Sequence, residues 1–171
     1  GSGGSTIYGN DSGNVITGGL GNDVIHLGAG SDVVSGGGGA DTVAFDLGLS
    51  HYLLEVTKTG LIVSGEGDDV LNNISALQFG ARTIQLSSYA AVIGGNASDN
   101  AFAARDGSEL FSGGAGIDSV AYGSARVNFS VQADGDAFTV GDRGGRGGVD
   151  LLSGVERLLF ADGSGVALDI G

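Results

Sequence analysis

The hydrophobic and polar positions at the start of the chain repeat every nine residues. Four blocks follow one another in register: GNDSGNVIT from Gly9, GGLGNDVIH from Gly18, LGAGSDVVS from Leu27 and GGGGADTVA from Gly36. Each block is rich in glycine at its first positions, has Asn or Asp at the sixth and an apolar residue at the eighth. This pattern predicts a six-residue turn and a three-residue strand whose eighth side chain faces inward. Strands this short are stable only when neighbouring blocks stack on them.

The same pattern returns in weaker form later in the chain. Its copies are Gly95–Ala103, Ala104–Ser112 and Gly113–Ala121. Each array precedes about fifty residues with alternating apolar and polar positions, which predict antiparallel strands. We therefore interpret the chain as a tandem duplication. The predicted segments are a first array at 1–44, an antiparallel β lobe at 45–94, a second, degenerate array at 95–121 and a second lobe at 122–171.

The composition narrows the classes of function. The 171 residues include 36 glycines, 20 acidic and 7 basic side chains, for a formal net charge of −13. This acidity disfavours nucleic acid and anionic lipid as partners and favours cations. The absence of cysteine excludes disulfides, thiol catalysis and cysteine-ligated metals. No apolar run reaches the roughly 20 residues that span a bilayer, and the first residues do not resemble a signal peptide.

The sixth-position side chains predict metal sites. If two blocks make one full turn of the chain, Asn14 faces Asp32 and Asp23 faces Asp41. Carboxylates and converging backbone carbonyls are the ligands of a hard cation such as Ca2+. Without a cation the stacked form would hold uncompensated charges together, so we expect metal binding and folding to be one event. The alternative is that these side chains only hydrogen-bond their own turn.

The blocks resemble those of the RTX, or repeats-in-toxin, family, whose nonapeptides form a parallel β-roll with Ca2+ in its turns. The string GVERLLFADGSGVAL (Gly154–Leu168) is similar to segments that follow β-rolls in secreted bacterial RTX proteins. The resemblance implies an all-β fold, in which a tandemly duplicated parallel β-roll is flanked by small antiparallel β lobes.

The resemblance also implies the ligands of each Ca2+. In the family, one turn supplies its second and fourth carbonyls and its sixth carboxylate. The turn two blocks later supplies its first and third carbonyls and its own carboxylate. Carried onto this sequence, the three sites are Gly19, Gly21, Asp23, Gly36, Gly38 and Asp41; then Asn10, Ser12, Asn14, Leu27, Ala29 and Asp32; then Asn96, Ser98, Asn100, Gly113, Ala115 and Asp118. We expect the first set to bind best, because an uncharged Asn replaces one Asp in the other two.

Other motifs indicate no catalytic site. His26 and His51 are the only histidines, and the sequence contains neither HExxH nor GxSxG, so we expect no enzymatic activity. The segment GEGDDV (Gly65–Val70) imitates the repeat, but Asp69 is one residue out of register with Asp41. We therefore favour a lobe hairpin over a further metal site there.

The expected function is that of an extracellular Ca2+-binding RTX module, which folds on binding Ca2+ and acts as a structural element of a larger secreted protein. The resemblance implies export from a bacterial cell by type I secretion. The alternative is an adhesin or surface-layer module that binds a glycan, a protein or itself through the β lobes. An exposed aromatic patch would favour that alternative, and Tyr52, Tyr89 and Tyr122 are the residues to inspect.

Overall fold

A computed structural model describes residues 3–168, which form an all-β fold with strands over 52% of the chain. The chain divides into two compact units, Gly1–Ser88 and Tyr89–Gly171. No helix in the described part is long and apolar enough to cross a bilayer. The strands of the first unit are β1 (Thr6–Tyr8), β2 (Val15–Gly19), β3 (Val24–His26), β4 (Val33–Gly37), β5 (Thr42–Phe45), β6 (Leu53–Thr57), β7 (Gly60–Ser64), β8 (Asp68–Asn72), β9 (Ala76–Phe79) and β10 (Arg82–Gln85).

The first unit coils so that blocks two apart in sequence stack as parallel strands. β2 pairs with β4, which places Val15 beside Val33, and β3 pairs with β5, which places Val24 beside Thr42. Alternate blocks therefore contribute to two different sheets, whose strand orders are β1-β3-β5-β9-β10 and β2-β4-β8-β7-β6. This arrangement is a parallel β-roll.

Antiparallel strands continue both sheets of the roll. β8 is parallel to β4 and antiparallel to β7, which pairs in turn with β6. β9 is parallel to β5 and antiparallel to β10. The segment after the first array thus returns to the roll twice, and its strands satisfy backbone groups that an open sheet edge would leave unpaired.

The core of the first unit follows the eighth position of the blocks. Ile25, Val34 and Val43 are fully buried, because alternation along each short strand turns this side chain inward. Where the array ends, aromatic side chains continue the core: Phe45 stacks on Phe79 with ring centroids 4.9 Å apart. The apolar face therefore lies between the strands, and the polar groups lie in the turns.

The second unit repeats this plan. Its strands are β11 (Ala91–Asn96), β12 (Ala101–Ala103), β13 (Glu109–Gly114), β14 (Ser119–Tyr122), β15 (Phe129–Asp134), β16 (Ala137–Asp142), β17 (Val149–Ser153), β18 (Arg157–Phe160) and β19 (Gly165–Ala167). Its two sheets have the orders β11-β13-β17-β16-β15 and β12-β14-β18-β19, and the core contains Phe111 and Leu152 from the first sheet with Val120 and Leu158 from the second. The pairs β11–β13, β13–β17, β12–β14 and β14–β18 are parallel, as in the first roll.

Tyr52, Tyr89 and Tyr122 do not form an exposed aromatic patch. Tyr52 and Tyr122 are 5% and 6% exposed and pack against Phe79 and Phe160 in the two cores. Tyr89 is half-buried at the start of the second unit. The two core tyrosines therefore stabilise the units and are not available as a binding surface.

Candidate metal sites

The sixth-position side chains lie in columns that run along the first unit. In one column, the Asp41 carboxylate accepts the backbone N–H of Asp23 at 2.9 Å, and the Asp23 carboxylate accepts that of Ser5 at 2.7 Å. In the other column, the Asp32 carboxylate accepts the N–H of Asn14 at 2.7 Å. The structure thus brings together Asp23 with Asp41 and Asn14 with Asp32. One oxygen of each carboxylate holds the turn that precedes it in the stack.

The other carboxylate oxygen has no such partner. The Oδ2 atoms of Asp23, Asp32, Asp41 and Asp118 are buried and accept no hydrogen bond within the described part of the chain. These four side chains are at most 1% exposed. Burying an anionic oxygen without a donor is costly unless a cation lies beside it. The four atoms therefore fit a site for a hard, oxygen-seeking cation.

A backbone carbonyl converges on the orphaned oxygen of Asp23. A Cβ added to Gly18 would collide with both Asp23 Oδ2 and the carbonyl oxygen of Gly36. The two oxygens therefore share the space beside the Gly18 Cα, and only glycine at this position leaves that space open. Asp23 comes from one turn and Gly36 from the turn two blocks later, which is the pairing expected for the first predicted site.

The other backbone groups of the first set also face the neighbouring turn. Carbonyl oxygens of Gly19 and Gly21 point at Gly37 and Gly39, where an added Cβ would collide with them. Both of these facing glycines have positive φ, 98° and 113°, a conformation that glycine adopts without strain. Gly38 is half-buried between them. The Gly19 carbonyl also accepts the Gly38 N–H at 2.7 Å, so the turns are packed backbone against backbone.

The second predicted set contains Asn10, Ser12, Asn14, Leu27, Ala29 and Asp32. Its Asn14 Oδ1 accepts the N–H of Asn10 at 2.9 Å, and the same oxygen converges with the Leu27 carbonyl beside Gly9. The Asn10 side chain in turn accepts the N–H of Ser12 at 2.9 Å. The Asn14 side chain thus closes its own turn, and the Asn14–Asp32 pair carries a single negative charge.

The third predicted set contains Asn96, Ser98, Asn100, Gly113, Ala115 and Asp118, and it is built like the second. Asn100 Oδ1 accepts the N–H of Asn96 at 2.8 Å and converges with the Gly113 carbonyl beside Gly95. Asp118 Oδ1 accepts the N–H of Asn100 at 2.6 Å. Asp118 Oδ2 lies beside Gly113, where the carbonyl oxygen of Gly154 from the following segment also lies.

The segment that was expected to form a hairpin also brings a carboxylate to one of the columns. Asp69 Oδ1 accepts the N–H of Asp32 at 2.9 Å across 37 residues of sequence, and Val70 lies beside Val33 in the parallel pair. Asp69 is thus in register with Asp32, not with Asp41, and belongs both to a hairpin and to the Asp32 column. The signal was present: SGEGDDVLN (Ser64–Asn72) matches the repeat at its second, fourth, sixth and eighth positions. Burial, reinforced by the charge of Asp32, raises the pKa of Asp69 to about 6.

The donor set of these turns is dominated by the backbone. No group of three or more His, Cys, Asp or Glu side chains comes together as a metal centre within residues 3–168. Pairs of carboxylates flanked by carbonyl oxygens are the coordination that Ca2+ accepts, whereas they suit soft metals poorly. The chemistry of the turns therefore favours a hard cation of the class that includes Ca2+ over a soft metal.

A roll of stacked nonapeptides with carboxylates buried in its turns is the arrangement expected of calcium-binding repeats. The family model of the RTX calcium-binding nonapeptide repeat, in four copies, matches residues 1–43. The first array is therefore a run of RTX repeats.

Solved structures also match the chain. The crystal structure of the extracellular lipase LipA from Serratia marcescens matches it with a TM-score of 0.42 and 15% sequence identity, over 94% of this chain and 37% of the lipase. The chain thus spans just over a third of the length of that lipase. No curated protein sequence matches the chain.

Proposed function

We propose that the chain is a non-enzymatic, extracellular module that folds on binding Ca2+ and supports a larger secreted protein. The observation that carries this proposal is the set of buried, unpartnered carboxylate oxygens on Asp23, Asp32, Asp41 and Asp118. Each of these oxygens lies in a turn that, once folded, removes the oxygen from water and offers it no hydrogen-bond donor. Such a fold is disfavoured until a cation compensates the charge.

The first array has the best-built site. Asp23 Oδ2 and the Gly36 carbonyl would ligate the ion directly, and Asp41 would contribute the second negative charge. Bound Ca2+ supplies the positive charge that the turn lacks. Asp23 and Asp41 also hold successive turns through their Oδ1 atoms. A bound cation that neutralises the two carboxylates would therefore hold two layers of the roll together.

The expected energy is large enough to control folding. A ligand that binds only the folded state stabilises it by RT ln(1 + [L]/Kd). Sites with dissociation constants of about 0.1 to 1 mM would each contribute roughly 1 to 3 kcal/mol at about 10 mM Ca2+. At submicromolar Ca2+ they would contribute almost nothing. This difference supports a module that folds after leaving a bacterial cell, and the RTX repeats of residues 1–43 support export by type I secretion.

Far-UV circular dichroism during a Ca2+ titration tests the proposal. Starting in EGTA and ending at about 10 mM Ca2+, we expect a cooperative gain of β signal that Mg2+ does not reproduce. Changing both Asp23→Asn and Asp41→Asn should move the midpoint to higher Ca2+ by about tenfold or more, because each substitution removes a charged ligand while an amide oxygen can still accept the N–H of the preceding turn.

The matched control neutralises two exposed carboxylates of the same unit, Asp46→Asn and Glu55→Gln. It changes the net charge equally and should leave the midpoint where the unmodified chain has it. A spectrum that is fully β in EGTA and unaltered by Ca2+ would contradict the proposal, as would an equal shift in the control protein.

A further inference from the structure

One of the orphaned carboxylates lies beside a backbone carbonyl from outside the predicted pairs. Asp23 faces another turn of its own array, but Asp118 belongs to the last turn of the second array, and its Oδ2 faces a segment with no nonapeptide pattern. A Cβ added to Gly113 would collide with Asp118 Oδ2 and with the carbonyl oxygen of Gly154. The two oxygens therefore converge in the way that Asp23 Oδ2 and the Gly36 carbonyl do.

The backbone around Gly154 is shaped for this approach. Gly154 has φ 58°, in the left-handed region that favours glycine. The Gly114 carbonyl oxygen lies 3.1 Å from where a Cβ of Gly154 would stand. Gly114 is the second position of its block, whose carbonyl faces the next turn, as that of Gly19 does in the first array. The Gly114 carbonyl thus lies beside Gly154, whose own carbonyl converges with the orphaned oxygen.

A second carboxylate completes the arrangement. Glu156 Oε2 accepts the N–H of Asp118 at 2.7 Å, the role that Asp41 plays toward Asp23. In the parallel pair of β14 and β18, Ser119 lies beside Arg157, so Glu156 stands at the level of Asp118. The turn SGVE, residues 153–156, is far shorter than the six-residue turn of a nonapeptide. It nevertheless places a carbonyl and a carboxylate where a repeat would place them.

We infer that Asp118, Glu156 and the carbonyl of Gly154, with that of Gly114, form a Ca2+ site that joins the second array to the strand after it. This inference rests on the proposed Ca2+ binding and extends it to a turn outside the repeats. Two carboxylates separated by one turn repel each other unless a cation lies between them. The buried, unpartnered Asp118 Oδ2 and the Gly154 carbonyl oxygen lie together beside Gly113.

The first unit contains the same backbone device with one difference. Asp41 Oδ2 converges with the carbonyl of Asn73 beside Gly36, and Asn73 also has positive φ, 53°. Ser75 occupies the place of Glu156, since Ala76 lies beside Thr42 in the parallel pair. That position therefore has one carboxylate where the second unit has two, and we assign the stronger joining site to the second unit.

The site has a structural consequence. β18 begins directly after Glu156 and pairs with β19, which ends at Ala167. The Leu168 N–H also donates to the Glu156 carbonyl at 2.7 Å. Ca2+ at this turn would fix the last strands of the unit onto the array, so that ordering of the C-terminal strands depends on the ion.

Hydrogen–deuterium exchange of the whole chain, with Ca2+ titrated from EGTA, tests the inference. In the unmodified chain, Ca2+ should slow exchange at 113–118 and 153–157 as well as at 36–41. Glu156→Gln should raise the Ca2+ concentration for half-protection at 113–118 and 153–157 by about tenfold and leave that at 36–41 unchanged. Asp23→Asn should do the reverse, and the exposed Glu55→Gln should do neither.

The experiment gives a different result if Glu156 only holds the turn and binds no ion. Glutamine can still accept the Asp118 N–H, and it removes the repulsion between the two carboxylates. In EGTA the variant should therefore exchange no faster than the unmodified chain, while responding less to Ca2+. Faster exchange in EGTA and in Ca2+ alike would overturn the inference. So would an unchanged midpoint at 153–157, or no response there in the unmodified chain while 36–41 responds. Absence of any response at 36–41 would defeat the proposed function itself.

Discussion

The sixth residue of each block decides what its turn offers a cation. Aspartate at this position uses Oδ1 to hold the preceding turn and leaves Oδ2 buried without a donor, as Asp23 and Asp32 show. Asparagine at the same position uses its single side-chain oxygen to close its own turn, as Asn14 and Asn100 show. The repeat pattern could predict this contrast, since it depends on charge and on position in the block.

The glycine at the first position is as important as the aspartate. Gly18→Ala should destabilise the Ca2+-bound module by about 1 to 3 kcal/mol, because its Cβ would occupy the space shared by Asp23 Oδ2 and the Gly36 carbonyl oxygen. Gly18 does not have positive φ, so the effect is steric. The midpoint of urea unfolding in saturating Ca2+ measures it. Gly123→Ala, where an added Cβ meets no atom within 4 Å, should leave the midpoint almost unchanged; an equal loss in both variants would refute the assignment.

At the scale of the strands, the sequence predicted the stacking inside each array but not the strand pairing beyond it. β3 and β5 are related by the nine-residue period, so their pairing could be read from the pattern. β8 pairs in parallel with β4 only after a hairpin has been inserted, which moves Asp69 to 37 residues from Asp32. The nine-residue period of the array does not predict a separation of 37 residues. The antiparallel strands were expected from alternation, but their addition to the sheets of the roll depends on tertiary pairing.

Strand β17 carries a buried carboxylate outside the proposed sites. Asp150 is 2% exposed and accepts the Glu109 N–H at 2.8 Å and the Tyr122 hydroxyl at 3.1 Å. Burial, with the nearby Glu109 charge, raises the pKa of Asp150 to about 6, above the value of about 3.9 for an unfolded aspartate. The folded chain therefore binds a proton more tightly than the unfolded chain between about pH 4 and 6, and stability falls as pH rises through this window.

Asp150→Asn should remove this dependence. Relative to the variant, the unmodified chain should lose about 1 to 2 kcal/mol of unfolding free energy between about pH 4 and pH 7, after allowing for solvent screening. Urea unfolding at constant, saturating Ca2+ gives the difference at each pH, and the Asp69 contribution cancels because both proteins retain it. Parallel stability curves for the two proteins would show that Asp150 does not titrate in this range.

At the scale of the whole molecule, the acidity has two parts that respond to different conditions. The formal net charge of −13 is carried partly by exposed side chains, whose repulsion salt screens within several Å. Asp23, Asp32, Asp41 and Asp118 are buried inside the turns of both units, where screening by mobile ions is weak. Both units therefore bury anionic oxygens whose charge bulk salt cannot neutralise, whereas a ligated cation can.

The far-UV β signal in three solutions separates the two parts. In EGTA with about 0.5 M NaCl, relief of surface repulsion should recover little of the β signal that is missing in EGTA alone. About 10 mM CaCl2 should recover most of it, as expected for several sites each contributing roughly 1 to 3 kcal/mol. An equal concentration of MgCl2 supplies the same ionic strength but prefers a smaller, octahedral site, and should behave like NaCl. If NaCl or MgCl2 matched CaCl2, the effect would arise from general acidity and the buried turns would not be specific Ca2+ sites.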